Sequence, residues 1–199
     1  MTRTAAAVAL LVVFTALGFG WRTVVQLRRH GDTGWRLSRT GPDRIVGPAL
    51  GLAFALLGAG PVVALVAGEV RTGGAVAGVA GAVLAVGAGV LTVVAQVQMG
   101  ASWRIGVEAG ERTDLVTGGL FGHVRNPIFT GMVLFGLGIA LLVPNVPTVV
   151  GAVLAAATIQ VQVRLVEEPN LIAVHGDAYR RWAGVTGRFV PGLGRLSPR

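Results

Sequence analysis

Glu167 and Glu168 stand side by side where a long apolar run, Thr148 to Val166, gives way to polar sequence. A carboxylate at the edge of an apolar zone is costly, by roughly 2.5–3.5 kcal/mol at mid-membrane and less near the boundary, so each needs a partner. Adjacent helix positions point roughly 100° apart, so the two cannot share one direction. One can face inward and the other outward. Arg125, just before another apolar run, is the neighbouring cation, and Arg164 is spaced i,i+4 with Glu168 for pairing along one helix face. Charges converging between helix ends suggest a functional site, although an ion pair that merely fixes two helices satisfies the same spacing.

The segment before Arg125 adds polar groups. Gly118, Gly119 and Gly122 permit close backbone approach to a ligand. Pro127 suits the first turn of a helix, where a missing N–H costs nothing. His123, Arg125 and Asn126 then lie at a helix N-terminus, aimed at an anion or a polar cofactor. Interfacial anchoring beside Trp103 is the alternative reading of His123 and Arg125. Other chemistry is poorly served. There is no cysteine and no lysine, which removes thiol nucleophiles, disulfides, thiolate metal sites and Schiff bases. His30, His123 and His175 lack metal-ligand spacing, so no metal is expected. Neither a Gly-x-Ser-x-Gly elbow nor a phosphate-cradling Gly-x-x-x-x-Gly-Lys loop occurs.

Such residues must be positioned by membrane helices. The 199-residue chain is 53% hydrophobic and only 13% charged, with mean hydropathy +0.70, against about 25% charge in soluble domains. Five apolar runs approach the roughly 20 residues that a bilayer span needs: about Thr4–Val25, Ile45–Ala67, Ala75–Val97, Ile128–Val143 and Thr148–Val166. Pro144-Asn145-Val146-Pro147 ends one helix and opens the next, predicting a helical hairpin from the last two. Gly47/Gly51 and Gly74/Gly78 have the small-xxx-small spacing of close helix contacts in lipid. The expected fold is therefore all-α and polytopic, with five transmembrane helices and a site at the cytosolic edge. Residues 1–97 would hold three helices and a basic loop, and residues 98–199 the functional core.

The net charge of +8, all of its cations arginine, fits either a nucleic-acid patch or charge sorted across a bilayer. Five spans put Arg22, Arg28, Arg29, Arg36, Arg39, Arg44, Arg104, Arg112, Arg125, Arg164, Arg180, Arg181, Arg188, Arg195 and Arg199 on one side, against Arg3 and Arg71 on the other. That split predicts an N-terminus outside, a cytosolic C-terminus and no nucleic-acid partner. A signal peptide cleaved near Ala16-Leu17-Gly18 would instead export the arginine-rich stretch that follows, which positive charge opposes.

The polar stretches resemble the isoprenylcysteine carboxyl methyltransferase and phospholipid methyltransferase superfamily of integral membrane enzymes, in its bacterial type. The resemblance rests on three motifs in order over residues 98–191. They are Gly100-Ala101-Ser102-Trp103-Arg104; Thr117-Gly118-Gly119-Leu120-Phe121 with Arg125-Asn126-Pro127-Ile128-Phe129-Thr130-Gly131; and Glu167-Glu168-Pro169-Asn170-Leu171, continuing through His175-Gly176-Asp177-Ala178-Tyr179 to Arg188-Phe189-Val190-Pro191. Asn126 stands where the family pattern has histidine and Phe129 where it has tyrosine, and Gly119-Leu120-Phe121 replaces Gly-Pro-Tyr. Asn126 keeps hydrogen-bonding capacity but cannot titrate.

The resemblance implies methyl transfer from S-adenosylmethionine to a lipophilic or membrane-accessible acceptor (carboxylate, thiol or amine) in a bacterial cytoplasmic membrane, with membrane lipids as surroundings. It implies a cofactor site of Leu120, Phe121, His123, Asn126, Pro127, Phe129, Gly131, Glu167, Glu168 and Tyr179, with Arg125 and Glu168 as catalytic residues. An NADPH-dependent membrane reductase of the steroid-reductase type and a non-catalytic membrane scaffold are the alternatives. The identity of the acceptor and the oligomeric state are left open.

Overall fold

A computed structural model describes residues 2–33, 35–36, 43–67, 74–106 and 114–197. Arg39, Arg71, Arg112 and Arg199, used above in sorting charge, lie outside the described residues. The chain is helical almost throughout. α1 (Arg3–Thr15) passes through a π-helical turn at Ala16–Trp21 into α2 (Arg22–His30). α3 (Asp43–Ala67) and α4 (Ala75–Met99) follow, then α5 (Pro127–Leu142) and α6 (Val146–Gln162). A second π turn, Val163–Glu167, leads into α7 (Glu168–His175), and α8 (Asp177–Val185) precedes an irregular tail. Two-residue strands, β1 (Trp35–Arg36) and β2 (Ile105–Gly106), pair in parallel.

Among the described residues, four helical stretches are long and apolar enough to cross a membrane: Arg3–Arg29, Arg44–Ala67, Ala75–Ser102 and Val146–His175. α5 is apolar but only 16 residues long, about 24 Å at 1.5 Å per residue, short of a hydrocarbon core of about 30 Å. It nevertheless runs antiparallel along α4. A Cβ on Gly138 would stand 2.7 Å from the Ala85 amide nitrogen and 2.8 Å from the Gly81 carbonyl, and one on Gly131 would stand 2.9 Å from the Ala88 carbonyl. These glycines let the two backbones touch, which is how helices gain contact where lipid offers no hydrophobic drive.

Three residues separate α5 from α6, yet α5 packs chiefly on α4 and α6 chiefly on α3. Asn145 fixes that connection. Its Oδ1 accepts from the Thr148 amide at 3.0 Å, and its Nδ2 donates to the Gly60 carbonyl of α3 at 2.7 Å. Small-residue spacing misled at other positions. Gly47, Gly51 and Gly74 meet nothing within 4 Å among the described residues, whereas Gly78 is buried and its face lies against the Arg3 side chain of α1. The helices pack instead through Gly81, Gly131, Gly138 and Gly151. The core between them centres on Phe14 stacked on Phe135 (4.0 Å between centroids), with Leu57, Ile139 and Ile159 fully buried around it.

Candidate active site

Five helix ends meet at one end of the bundle. Gln96 near the end of α4 donates from Nε2 to the Gly18 carbonyl in the first π turn at 2.8 Å. One turn further, the Arg22 guanidinium bonds the Gly100 carbonyl and lies 5.1 Å over the buried Trp103 ring. Here α4 ends, α3 and α5 begin, and α6 gives way to its π turn. Between them lies a cavity of about 250 Å³.

The cavity has two characters. Arg104, Asp114, Arg125, Asn126, Gln162, Glu167 and Trp182 line its polar part, and Phe121 and Phe129 adjoin them. Phe14, Phe19, Val46, Leu50, Ile128 and Met132, from α1, the first π turn, α3 and α5, are apolar residues of the same lining. Sequence reasoning named Phe121, Arg125, Asn126, Pro127, Phe129 and Glu167, and all six line the cavity. Leu120, His123, Gly131, Glu168 and Tyr179 do not. His123 is exposed, Gly131 is a helix-packing position, and Glu168 and Tyr179 are buried behind the wall.

Arg125 and Glu168 converge as expected, with Arg125 Nη2 2.7 Å from Glu168 Oε1. The same guanidinium also donates to three carbonyls, Ala183 at 3.0 Å, Thr186 at 2.5 Å and Gly194 at 3.0 Å. Arg188 completes the cluster, its Nε 2.8 Å from Glu168 Oε1 and its Nη2 2.9 Å from Oε2. Arg164 takes no part: it donates to Gln160 at 3.3 Å. The π turn at Val163–Glu167 inserts an extra residue per turn and removes the i,i+4 register with Glu168.

The cluster clamps the tail to the head of α5. The Arg125 amide donates to the Gly187 carbonyl (2.8 Å) and the Asn126 amide to the Arg188 carbonyl (3.1 Å), with a further bond from the Asn126 side chain at 3.1 Å. Thr130 Oγ1 donates to the Phe189 carbonyl at 2.9 Å. On the other side, Gly119 takes the left-handed φ of +58° and its face lies on Gln98, whose Oε1 accepts from the Leu120 amide at 2.9 Å. Phe121 is thereby held in the wall, and Trp182 Nε1 donates to its carbonyl at 3.2 Å.

Several of these residues carried a sequence signal that spacing alone did not decode. Gln96 and Gln162 are amides inside apolar runs, which marks a polar environment. Arg188 stands in the tail motif but has no local partner to reveal its target. Electrostatics follow the packing. The hydrogen bond to Glu168 holds Arg188 more firmly protonated than usual. Burial, then the nearby Glu168 charge, pushes the Tyr179 hydroxyl up from 10.0 to about 12, against the pull of Arg125. Because the folded value lies above the unfolded one, this contribution to stability is complete below about pH 10 and is lost as pH rises toward 12. Tyr179 is the single tyrosine of the chain. Tyrosinate absorbance of the folded protein in detergent is therefore expected to rise with a midpoint near 12, returning to about 10 when denatured. A folded-state midpoint at 10 would contradict the burial.

A family model described as phospholipid methyltransferase matches residues 75–178, just over half of the chain, from the start of α4 into α8. No curated protein and no solved structure matches it. The matched segments supply the polar wall of the cavity apart from Trp182, and the Glu167-Glu168 helix end, whereas α1 to α3 lie outside the match. Spanning helices surround that wall, and the chain belongs to the phospholipid methyltransferase family of membrane methyltransferases.

Proposed function

We propose that the protein transfers the methyl group of S-adenosylmethionine to a lipophilic acceptor at the cytosolic edge of a bacterial membrane. In this reading five helices cross the bilayer, α5 included, with the N-terminus outside and the cavity inside. The observation that carries it is the makeup of the cavity: a carboxylate, Glu167, set among Phe121, Phe129 and Trp182 on segments of the family match and the adjoining α8. A carboxylate suits ribose hydroxyls and an ammonium group. Aromatic faces suit a purine and a sulfonium cation.

The cofactor supplies an electrophilic methyl group on a positively charged sulfur. The chain's own residues do the rest. Glu167, with Asn126 and Gln162 as neutral polar neighbours, holds the polar portions. Phe121 and Phe129 cover the flat and apolar ones. Arg125 and Glu168, expected as catalytic, act in this reading through the wall they brace, since the Nη groups of Arg125 are already committed to protein acceptors. The acceptor is aligned against the methyl by the same wall, and such alignment contributes up to roughly 7–11 kcal/mol in the best intramolecular cases. Should the acceptor be an ammonium, it must first lose a proton, and Glu167 and Asp114 are the carboxyl groups of the lining that can take it.

The test is calorimetric titration of the purified protein with S-adenosylmethionine and with its demethylated product. Saturable one-to-one binding of both is expected, with a thermal shift that NADPH does not produce. No binding of either, or a shift with NADPH alone, would overturn the proposal.

A further inference from the structure

The charged and the neutral polar groups of the cavity lining come from different depths. Arg104, Asp114, Arg125 and Glu167 lie beyond the ends of α4, α5 and α6, whereas Thr92, Gln96 and Gln162 lie inside α4 and α6. Gln162 precedes Glu167 by five positions, roughly 7 Å deeper in the bundle at 1.5 Å per residue. Thr92 is satisfied within its own helix, its Oγ1 donating to the Ala88 carbonyl at 2.9 Å. The two amides are not. Gln96 is buried and donates from Nε2 to the Gly18 carbonyl at 2.8 Å, but its Oε1 has no partner among the described residues. A carbonyl only accepts, so that contact fixes the nitrogen end of the amide and makes the orphan atom an acceptor. Gln162 is 7% exposed, and its side chain forms no hydrogen bond among the described residues. Inside a span lipid supplies no partner, and an unbonded amide is costly there. Neutral groups with unused capacity, on the walls of one cavity, suit a neutral ligand group that carries both donors and acceptors.

Of the parts of S-adenosylmethionine, the purine is the group that fits this description. The amino-acid end carries an ammonium and a carboxylate, which belong with the charged lining nearer the water. We infer that Gln162 and Gln96 read the purine base, which lies deepest in the cavity. The exocyclic amine has two hydrogens, one for the Gln162 Oε1 and one for the Gln96 Oε1. The Gln162 Nε2 donates to the adjacent ring nitrogen, the pairing by which a carboxamide reads adenine in nucleic acids. Gln96 makes the recognition one-sided. An unattached carboxamide can turn over to suit a 6-oxo purine, exchanging donor for acceptor, but the bond to Gly18 keeps Gln96 from turning. A 6-oxo base would set its own oxygen against the Gln96 Oε1, two acceptors with no hydrogen between them. The two glutamines are thus specificity-determining residues that select a 6-amino over a 6-oxo purine, while Glu167 serves the ribose and the ammonium.

Base reading by the glutamines presupposes the methyltransferase function, and the test separates the two. Calorimetry of the full-length protein in detergent compares three probes: S-adenosylhomocysteine, its deaminated 6-oxo counterpart S-inosylhomocysteine, and methylthioadenosine, which keeps the purine and ribose but lacks the amino-acid end. The parent is expected to bind the 6-amino product about 10- to 100-fold more tightly than the 6-oxo one. Gln162→Met gives up no bond within the described residues and should unfold as the parent does. It should weaken S-adenosylhomocysteine and methylthioadenosine by the same factor, about 10-fold. Gln96→Met should cut the 6-amino preference to within about threefold. If Gln162→Met binds both adenosine probes as tightly as the parent, or loses S-adenosylhomocysteine but not methylthioadenosine, Gln162 serves the acceptor or the amino-acid end and the inference is overturned. Equal binding of 6-amino and 6-oxo products by the parent overturns it too, and leaves the methyltransferase reading standing. A parent that binds none of the three probes overturns both.

Discussion

Arg125→Ala is expected to destabilise the protein by about 3–5 kcal/mol, the cost of breaking a buried charge pair by removing one partner, and to release the tail from the head of α5. Arg125 is 4% exposed, and its guanidinium holds three carbonyls and Glu168 at once. Arg188 remains on Glu168 in the variant, so that carboxylate is only half abandoned. The Thr186 and Gly194 carbonyls lose this donor, while Ala183 keeps the Leu196 amide at 2.9 Å, and a buried polar group left unsatisfied costs about 1–3 kcal/mol. Arg125→Lys should rescue little, because an ammonium cannot reproduce a planar fork. Unfolding in mixed micelles of rising dodecyl sulfate fraction measures the first effect, and limited proteolysis beyond Ala183 the second. Wild-type stability combined with lost methyl transfer would show instead that Arg125 acts on the ligand directly and that the clamp is incidental.

Glu167→Gln should show the opposite pattern. Glu167 lines the cavity, half-buried, and Glu168 is turned away into the arginine cluster. A hydrogen bond to a charged group contributes about 1.5–3 kcal/mol, so S-adenosylmethionine binding is expected to weaken about 10- to 150-fold with unfolding unchanged. The paired variant Glu168→Gln should lose stability first and affinity only as a consequence. Calorimetry and micelle unfolding on both proteins separate the roles. Equal affinity in Glu167→Gln and wild type would remove Glu167 from the cofactor site.

How far the site was legible depends on the range of the forces involved. Carboxylates at the end of an apolar run need a cation, and Arg125 at the head of the preceding run was identifiable on that ground alone. Which of Glu167 and Glu168 met it was not, because the answer depends on helix rotation, and a π turn at Val163–Glu167 resets that rotation. The same turn explains why the i,i+4 pairing of Arg164 with Glu168 does not form. Arg188 escaped assignment for a different reason. It reaches Glu168 across 20 residues, through a tail with no regular structure to predict from.

The glycines teach the same lesson. Spacing singled out Gly47, Gly51, Gly74 and Gly78, but spacing marks what a helix permits and not which side a neighbour occupies. The neighbours chose Gly81, Gly131, Gly138 and Gly151.

From the sequence come the solvent and the inventory: apolar runs too long and too uniform for water, arginines kept to the connections and the run ends, no thiol, no lysine, and three ordered motifs. These are properties of composition and local order, and they hold in any packing. Tertiary structure alone decided which carboxylate faces the cavity, and that Arg125 commits its Nη donors to Glu168 and to carbonyls of α8 and the tail. Each is a contact between segments distant in the chain, set by how helix faces exclude one another when they close on a shared core.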